Sequence, residues 1–136
     1  MGCGFINVVD NYNRVFSWGD NYGGQLGTKD DVHREEPCLI KTLTEEYITQ
    51  VSLGFQHGLY LTDDGMVYGV GKNNRFQLGR DFNKDTENTE IFDKYQPVKQ
   101  LPYWDEPIVQ INAGKFHSLF LTESGKLYGL GYNRFG

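Results

Sequence analysis

The sequence predicts an all-β fold built from repeated units of short strands. Seventeen glycines against four prolines are typical of a chain with many tight turns, because glycine accepts the positive φ angles that turns require. A long segment of the chain also recurs further along, and short aromatic and aliphatic runs alternate with turn residues. At 136 residues with 38% hydrophobic content, the chain can bury a core of its own.

The internal repeat is the strongest of these signals. Residues 48–71 recur as residues 108–131, with 11 of 24 positions identical. A fainter copy, residues 2–19, aligns without gaps on residues 54–71 at an offset of 52. Periods of this size indicate an array in which each unit buries its apolar face against its neighbours.

Each repeat contains a predicted β-hairpin. The runs "HGLYLT" and "MVYGVG" are joined by a turn that ends in Gly65. Gly125 occupies the same position in the second copy and Asn13 in the faint copy. Glycine and asparagine are the residues that best accept a left-handed turn conformation, so the same hairpin is expected three times.

Two further strands are predicted in each repeat. One precedes the hairpin as "ITQVSL" or "IVQINA", and the other follows a proline, as "CLIKTL" after Pro37 and "PVKQL" from Pro97. Four short strands in every repeat are typical of the blade of a β-propeller.

One composite motif runs through most of the chain. Its positions are Trp18, Gly19, Asn21, Gly24, Gln25, Leu26, Gly27, Pro37, Ile40, Val51, Gly54, His57, Leu59, Leu61, Thr62, Gly65, Val67, Tyr68 and Gly71. This pattern resembles the repeat of the regulator of chromosome condensation family, here called the RCC1-like repeat. The resemblance implies an incomplete β-propeller of about two four-stranded blades plus partial flanking repeats, whereas a whole propeller of the family has about seven blades.

The resemblance also implies a division of the chain. Residues 1–14 end a preceding repeat, 15–66 and 67–126 form repeats, the second with a longer loop at 80–95, and 127–136 begin a truncated repeat. The chain stops one residue before the next expected Gln-Leu-Gly. We therefore expect a slice of a larger ring, whose open blade edges are covered by missing blades or by another chain.

Twelve repeat positions are expected to be structural. They are Trp18, Gly19, Gly27, Gly54, His57, Gly65, Gly71, Gly79, Gly114, His117, Gly125 and Gly131. His57 and His117 occupy the same repeat position, so a catalytic role for one would leave its twin unexplained. We expect a half-buried imidazole that hydrogen-bonds local backbone, with a ligand or acid–base role as the alternative.

Composition and spacing exclude several classes of function. A net charge of −5 disfavours a nucleic-acid partner, because phosphate binding needs clustered Lys and Arg. The sequence has no apolar run long enough to span a bilayer and no signal peptide, so we expect an intracellular protein, in the cytoplasm or nucleus and not secreted, without a membrane partner. Cys3 and Cys38 form neither a disulfide framework nor a metal motif. We also expect no metal site, no cofactor and no catalytic residue.

The longer loop offers a hint of partner binding. It carries five acids, which are Asp81, Asp85, Glu87, Glu90 and Asp93, against the three bases Arg80, Lys84 and Lys94. Two interpretations stay open: a solvated loop, or an acidic rim that docks a basic protein partner.

The predicted function is a non-enzymatic protein-interaction or scaffold module. The resemblance implies an alternative, guanine-nucleotide exchange on a small Ran-like GTPase, but fold alone does not confer that activity. Nucleosome docking, another property of the family, is disfavoured by the acidic balance of this chain.

Overall fold

The computed structural model describes residues 4–79, 99–101 and 104–132, which form three antiparallel β-sheets. The described strands are β1 (Phe5–Val9), β2 (Val15–Gly19), β3 (Arg34–Leu39), β4 (Ile48–Leu53), β5 (His57–Thr62), β6 (Val67–Gly71), β7 (Lys99–Gln100), β8 (Ile108–Ala113), β9 (His117–Thr122) and β10 (Leu127–Gly131). One 3₁₀ turn, Lys41–Leu43, follows β3. None of the helical structure in these residues is long enough to cross a bilayer.

The three sheets follow one another along the chain. Sheet 1 has the order β1-β2-β3, sheet 2 has the order β4-β5-β6-β7, and sheet 3 has the order β8-β9-β10. Sheet 2 is the four-stranded blade that the sequence predicted, and the all-β prediction is confirmed. The predicted repeat of residues 15–66 includes β2 and β3 of sheet 1 and β4 and β5 of sheet 2. A repeat with these predicted bounds therefore links two neighbouring sheets.

The predicted hairpin turns are present in all three sheets. Their left-handed residues have φ angles of 60° at Asn13, 83° at Gly65 and 91° at Gly125. Asn13 also connects two sheets, because its Oδ1 accepts the N–H of Ile48 at 3.0 Å and its Nδ2 donates to the carbonyl oxygen of Glu46 at 2.6 Å. The asparagine thus adds side-chain hydrogen bonds that a glycine at this turn position cannot make.

The prediction of a strand over "CLIKTL" was wrong about both ends of the strand. The observed strand β3 begins at Arg34 and ends at Leu39, and the chain then forms the 3₁₀ turn. Ile40 N–H still donates to the carbonyl oxygen of Val15 at 2.8 Å, but the following turn carries Leu43 into the core, where it is 1% exposed. Pro37 lies within β3, which is tolerated because β3 is an edge strand of sheet 1. Of the second predicted strand, Pro97 and Val98 lie outside the described residues.

Two apolar clusters lie between the sheets. Sheets 1 and 2 bury the cluster Val15, Ile40, Leu43, Ile48, Tyr60 and Val70. Sheets 2 and 3 bury the cluster Leu59, Leu61, Val67, Leu78, Leu101, Ile108, Ile111 and Phe120. Every residue of β5 is buried, because sheet 2 is covered on both faces.

The equivalent strand of sheet 3 is covered on one face only within the described residues. Along β9, Ser118 and Phe120 are buried, whereas His117 and Leu119 are exposed. This alternation is the period of a strand with one covered face. The exposed face of sheet 3 corresponds to the face of sheet 2 that sheet 3 covers.

Candidate functional site

The repeat histidine of sheet 2 forms a hydrogen bond to the neighbouring sheet. His57 is 0% exposed, and its Nε2 lies 3.0 Å from Oγ of Ser118 on β9. Oγ of Ser118 in turn donates to the carbonyl oxygen of Gln77 at 2.7 Å. Since a hydroxyl has one hydrogen to donate, the proton between His57 and Ser118 belongs to Nε2. The serine therefore joins β5 to β9 and to the loop after β6.

Two details of the His57 prediction were wrong. The imidazole is fully rather than half buried, and its partner is a side chain on the next sheet rather than local backbone. Packing between sheets 2 and 3 causes both differences. The equivalent His117 is exposed, because among the described residues no sheet covers that face of sheet 3.

The electrostatics of His57 favour a neutral imidazole. Burial, together with a smaller contribution from the nearby His117, lowers its pKa from 6.5 to about 4. Nδ1 of His57 is buried and has no hydrogen-bond partner among the described residues. In a neutral ring whose Nε2–H donates to Ser118, Nδ1 is an acceptor that has no donor among the described residues.

A serine and a histidine 3.0 Å apart invite comparison with a nucleophile and its base. Here the histidine donates to the serine, and the serine hydroxyl donates to a carbonyl, which is the reverse of base activation. Ser118 and His57 are both 0% exposed, so a substrate has no access to either. The two residues therefore form a structural hydrogen bond between the sheets and not a catalytic pair.

The glycine three residues before each histidine makes room for the imidazole. A Cβ at Gly54 would lie 2.1 Å from Cε1 of His57, and a Cβ at Gly114 would lie 2.3 Å from Nε2 of His117. Real Cβ atoms do not approach neighbours so closely. The spacing Gly-x-x-His in the repeat therefore reflects a direct contact between the two residues.

Another set of repeat glycines ends the second strand of each hairpin. Gly71 has a φ of +99°, and a Cβ there would lie 2.4 Å from the carbonyl oxygen of Gln56. Gly19 and Gly131 occupy the same place at the ends of β2 and β10, with φ of +106° and +133°. The other predicted repeat glycines with positive φ are Gly27, Gly65, Gly79 and Gly125. Trp18, next to Gly19, is half-buried and pairs with Ile6 across sheet 1.

The loop after each hairpin is organised by buried amides, a role that the sequence analysis missed. Oδ1 of Asn73 accepts the N–H of Leu78 at 2.8 Å, and its Nδ2 donates to the carbonyl oxygen of Gly79 at 2.8 Å. Asn21 accepts the N–H of Leu26 in the same way at 3.0 Å. Both asparagines are 0% exposed. Their recurrence at one repeat position was the available signal.

A repeated glutamine completes the same loop. Oε1 of Gln25 accepts the N–H of Gly23 at 2.8 Å, and Oε1 of Gln77 accepts the N–H of Arg75 at 3.0 Å. Each glutamine is 1% exposed. The buried amides satisfy backbone groups that the loop would otherwise leave without partners.

The acids of the predicted docking loop, Asp81, Asp85, Glu87, Glu90 and Asp93, lie outside the described residues. In the shorter loop of sheet 1, Asp30 accepts hydrogen bonds from Thr28, Val32 and Arg34. Partial burial alone would raise the pKa of Asp30, but these hydrogen bonds hold it below its usual value. This carboxylate therefore stabilises its own loop.

A cleft of about 540 Å³ lies between the first hairpin turn and the segment before β4. Two of its three carboxylates are engaged within the chain: Asp10 binds Arg14 at 2.6 Å, and Oε1 of Glu46 accepts the hydroxyl of Tyr68 at 2.6 Å. Burial and the Glu46 hydrogen bond raise the pKa of Tyr68 to about 12. No group of His, Cys, Asp and Glu in the described part of the chain is arranged to hold a metal ion.

Successive antiparallel sheets that pack face to face define a segment of a β-propeller. The chain belongs to the RCC1 repeat family, which confirms the resemblance seen in the sequence. The family model described as the regulator of chromosome condensation (RCC1) repeat matches residues 12–61 and 64–121. A second model with the same description matches residues 48–77 and 108–136.

Similar proteins are longer than this chain. It is 36% identical to the probable E3 ubiquitin-protein ligase HERC3 of Homo sapiens over 118 residues, covering 86% of the chain and 10% of that protein. It is 33% identical to the protein RCC2 homolog of Danio rerio, covering 95% of the chain and 24% of that protein. The chain thus spans a quarter or less of the length of these relatives.

A solved propeller superposes closely on the three sheets. Yeast RCC1 (Prp20), in its crystal structure with Kap60, matches with a TM-score of 0.84 at 24% identity. The match covers 96% of this chain and 31% of the yeast chain. The three sheets therefore have the arrangement of part of an RCC1 propeller.

Proposed function

We propose that this chain is a non-enzymatic protein-interaction module of an RCC1-type propeller. The proposal rests mainly on the structural role of His57, which is buried and donates a hydrogen bond to Ser118 of the neighbouring sheet. The repeated Asn and Gln side chains are likewise buried in loop hydrogen bonds. The conspicuous polar residues of the repeat thus stabilise the scaffold, and partner binding is left to surface segments.

Relatives support a protein partner. Yeast RCC1 has been crystallised bound to Kap60, so a protein that contains this fold binds another protein. HERC3 is named as a probable ubiquitin ligase, and the chain covers only 10% of it. A ligase activity is therefore no part of our proposal, because similarity of fold does not by itself confer an activity.

The acidic segment of residues 80–95 is our candidate for docking a basic partner. It has five acids and three bases, so its net charge is negative. A basic peptide should be attracted by these carboxylates, with an association that weakens as salt increases. The alternative is a solvated segment that binds nothing.

The test is a titration of the full chain with a lysine- and arginine-rich peptide. A first variant replaces the five acids of the segment by Asn or Gln. A control variant removes five exposed acids elsewhere, namely Asp31, Glu45, Asp63, Asp105 and Glu123, so that the net charge changes equally. The proposal predicts weaker binding only in the first variant. Equal binding by both variants, or by both and the wild type, would contradict the docking role.

We do not propose guanine-nucleotide exchange, the alternative implied by the family resemblance, because no feature of the described residues favours it. A nucleotide-release assay with a panel of small GTPases checks it. Acceleration of release by the chain would show that the non-enzymatic assignment is wrong. The intracellular location likewise stays a prediction, which fluorescence microscopy of the tagged protein tests.

A further inference from the structure

Among the described residues, one end of sheets 2 and 3 carries positive charge without acids. Strand directions place the segments 54–56, 72–79 and 114–116 and Tyr132 together at this end. Among these residues are the three cations Lys72, Arg75 and Lys115, and no Asp or Glu. In a chain with a net charge of −5, this is a local reversal of sign.

Three aromatic rings at this end contact one another across the two sheets. The ring centroids of Phe55 and Phe116 are 6.0 Å apart, and those of Phe116 and Tyr132 are 6.4 Å apart, both in edge-to-face geometry. The backbone N–H of Tyr132 donates to the carbonyl oxygen of Phe116 at 3.0 Å, which fixes the two residues relative to each other. The rings form a continuous row from the β4–β5 turn to the end of β10.

Two cations lie over this row. Nζ of Lys115 is 5.2 Å from the ring centroid of Phe55 and 5.4 Å from that of Phe116. Cζ of Arg75 is 4.6 Å from the ring centroid of Tyr132. These are cation–π distances, which hold the charged groups in place without neutralising them. We call these five residues the cation–aromatic surface.

The charges of this surface are not balanced by acids of the described chain. Neither Arg75 nor Lys115 forms an ion pair with a described carboxylate, whereas Arg14, Arg34 and Lys126 each do. Arg75 and Lys115 are exposed, and Tyr132 is 43% exposed. The surface thus offers two fixed positive charges to solvent, next to apolar ring area.

We propose that the cation–aromatic surface docks an extended acidic segment of a partner protein. Its carboxylates bind Arg75 and Lys115, and its apolar side chains contact the rings of Phe55 and Tyr132. Because the cations are already held over rings, less side-chain entropy is lost on binding. A nucleic acid fits less well, since it needs many cations in a row and the chain as a whole is acidic.

The inference rests on the proposed interaction role but concerns a surface other than the acidic segment of residues 80–95. The two proposals have opposite charge requirements, so they fail separately. A chain that binds the basic peptide and not an acidic one would contradict only the present inference. A chain that binds the acidic peptide and not the basic one would contradict only the docking role of the acidic segment.

The test is fluorescence anisotropy with a labelled short peptide of Glu, Asp and Leu, measured on the full chain at low salt. The control peptide has Gln and Asn in place of the acids. Arg75→Gln and Lys115→Gln should each weaken binding roughly two- to fivefold, and the double variant should weaken it further. Lys41→Gln removes another exposed cation, at the opposite end of the sheets after β3, and should leave binding unchanged.

Thermal melts of each variant establish that the fold is retained. Absence of binding by the wild type, or an equal loss in Lys41→Gln and Arg75→Gln, would overturn the inference. An oligonucleotide that binds more tightly than the acidic peptide and displaces it would also overturn it, in favour of a nucleic-acid site. Binding of the Gln and Asn peptide as tightly as the acidic one would show that charge is not recognised.

Discussion

Nε2 of His57 on β5 lies 3.0 Å from Oγ of Ser118 on β9, so a buried hydrogen bond joins two sheets. The two residues are 61 positions apart in the sequence. Ser118 follows His117, the repeat equivalent of His57. One copy of the repeat thus supplies the histidine, and the next supplies its partner.

Replacement of the buried histidine should destabilise the chain, whereas replacement of its exposed twin should not. His57→Asn removes a fully buried ring and its hydrogen bond, and we expect a loss of about 2 to 4 kcal/mol in the free energy of unfolding. His117→Asn is the matched control and should cost less than about 0.5 kcal/mol. Urea denaturation measures both. Similar losses at the two positions would argue against the sheet-to-sheet role.

The free energy of unfolding should decrease as the pH falls from the ordinary pKa of histidine to the lower pKa of His57 in the folded chain. Its pKa is about 4 in the folded chain and has an ordinary value of 6.5. Between these values the unfolded chain takes up a proton that the folded chain does not, so stability is full above the ordinary pKa and falls as the pH decreases. The loss by the lower end of this range is about 3 kcal/mol.

The pH effect is isolated by comparison with a variant. The free energy of unfolding is measured from neutral pH to the acid end of the range for the wild type and for His57→Asn. The wild type should show the steeper decrease, and His117→Asn should follow the wild type. Parallel curves for the wild type and His57→Asn would show that another group causes the effect.

The glycine under the imidazole should not tolerate a methyl group. Gly54→Ala places a Cβ 2.1 Å from the His57 ring and 2.5 Å from the carbonyl oxygen of Gly114, so we expect a loss above about 2 kcal/mol. Gly129→Ala on β10 is the control, because its Cβ would meet only Leu119 at 3.4 Å. Thermal unfolding distinguishes the two. A midpoint for Gly54→Ala close to that of the control would contradict the contact.

The buried amide of the loop after sheet 2 should be needed as both donor and acceptor. Asn73→Asp keeps the acceptor for Leu78 N–H but loses the donor to the Gly79 carbonyl oxygen, and it buries a charge. We expect a loss of about 2 to 4 kcal/mol. Asn74→Asp, one residue later and exposed, introduces the same charge at little cost. Proteolytic cleavage after Arg75 should increase only in Asn73→Asp.

Much of the fold could be predicted from the repeat. The hairpins follow from turn positions occupied by Gly65, Gly125 and Asn13, because few residues accept a left-handed conformation. The end of β3 could not be predicted, since "CLIKTL" has the composition of a strand and only tertiary burial of Leu43 turns it. The turns could thus be predicted from the local sequence, whereas the end of β3 depends on packing in the folded chain.

The site was less predictable than the fold. The repeat identified His57 as structural, but its partner Ser118 differs from the residue at the same position in sheet 2, Gly58. No periodicity points to such a pair. The cation–aromatic surface was missed for a similar reason, because Phe55 and Phe116 are not at the same repeat position and meet only when sheets 2 and 3 pack.

A double-mutant cycle between His57 and Ser118 tests the central claim that repeat polar residues bind one sheet to the next. The free energy of unfolding is measured for the wild type, His57→Asn, Ser118→Ala and the double variant. The hydrogen bond predicts a coupling energy of about 1 to 2 kcal/mol, with the double variant losing less than the sum of the single losses. Losses that add to within about 0.3 kcal/mol would contradict it.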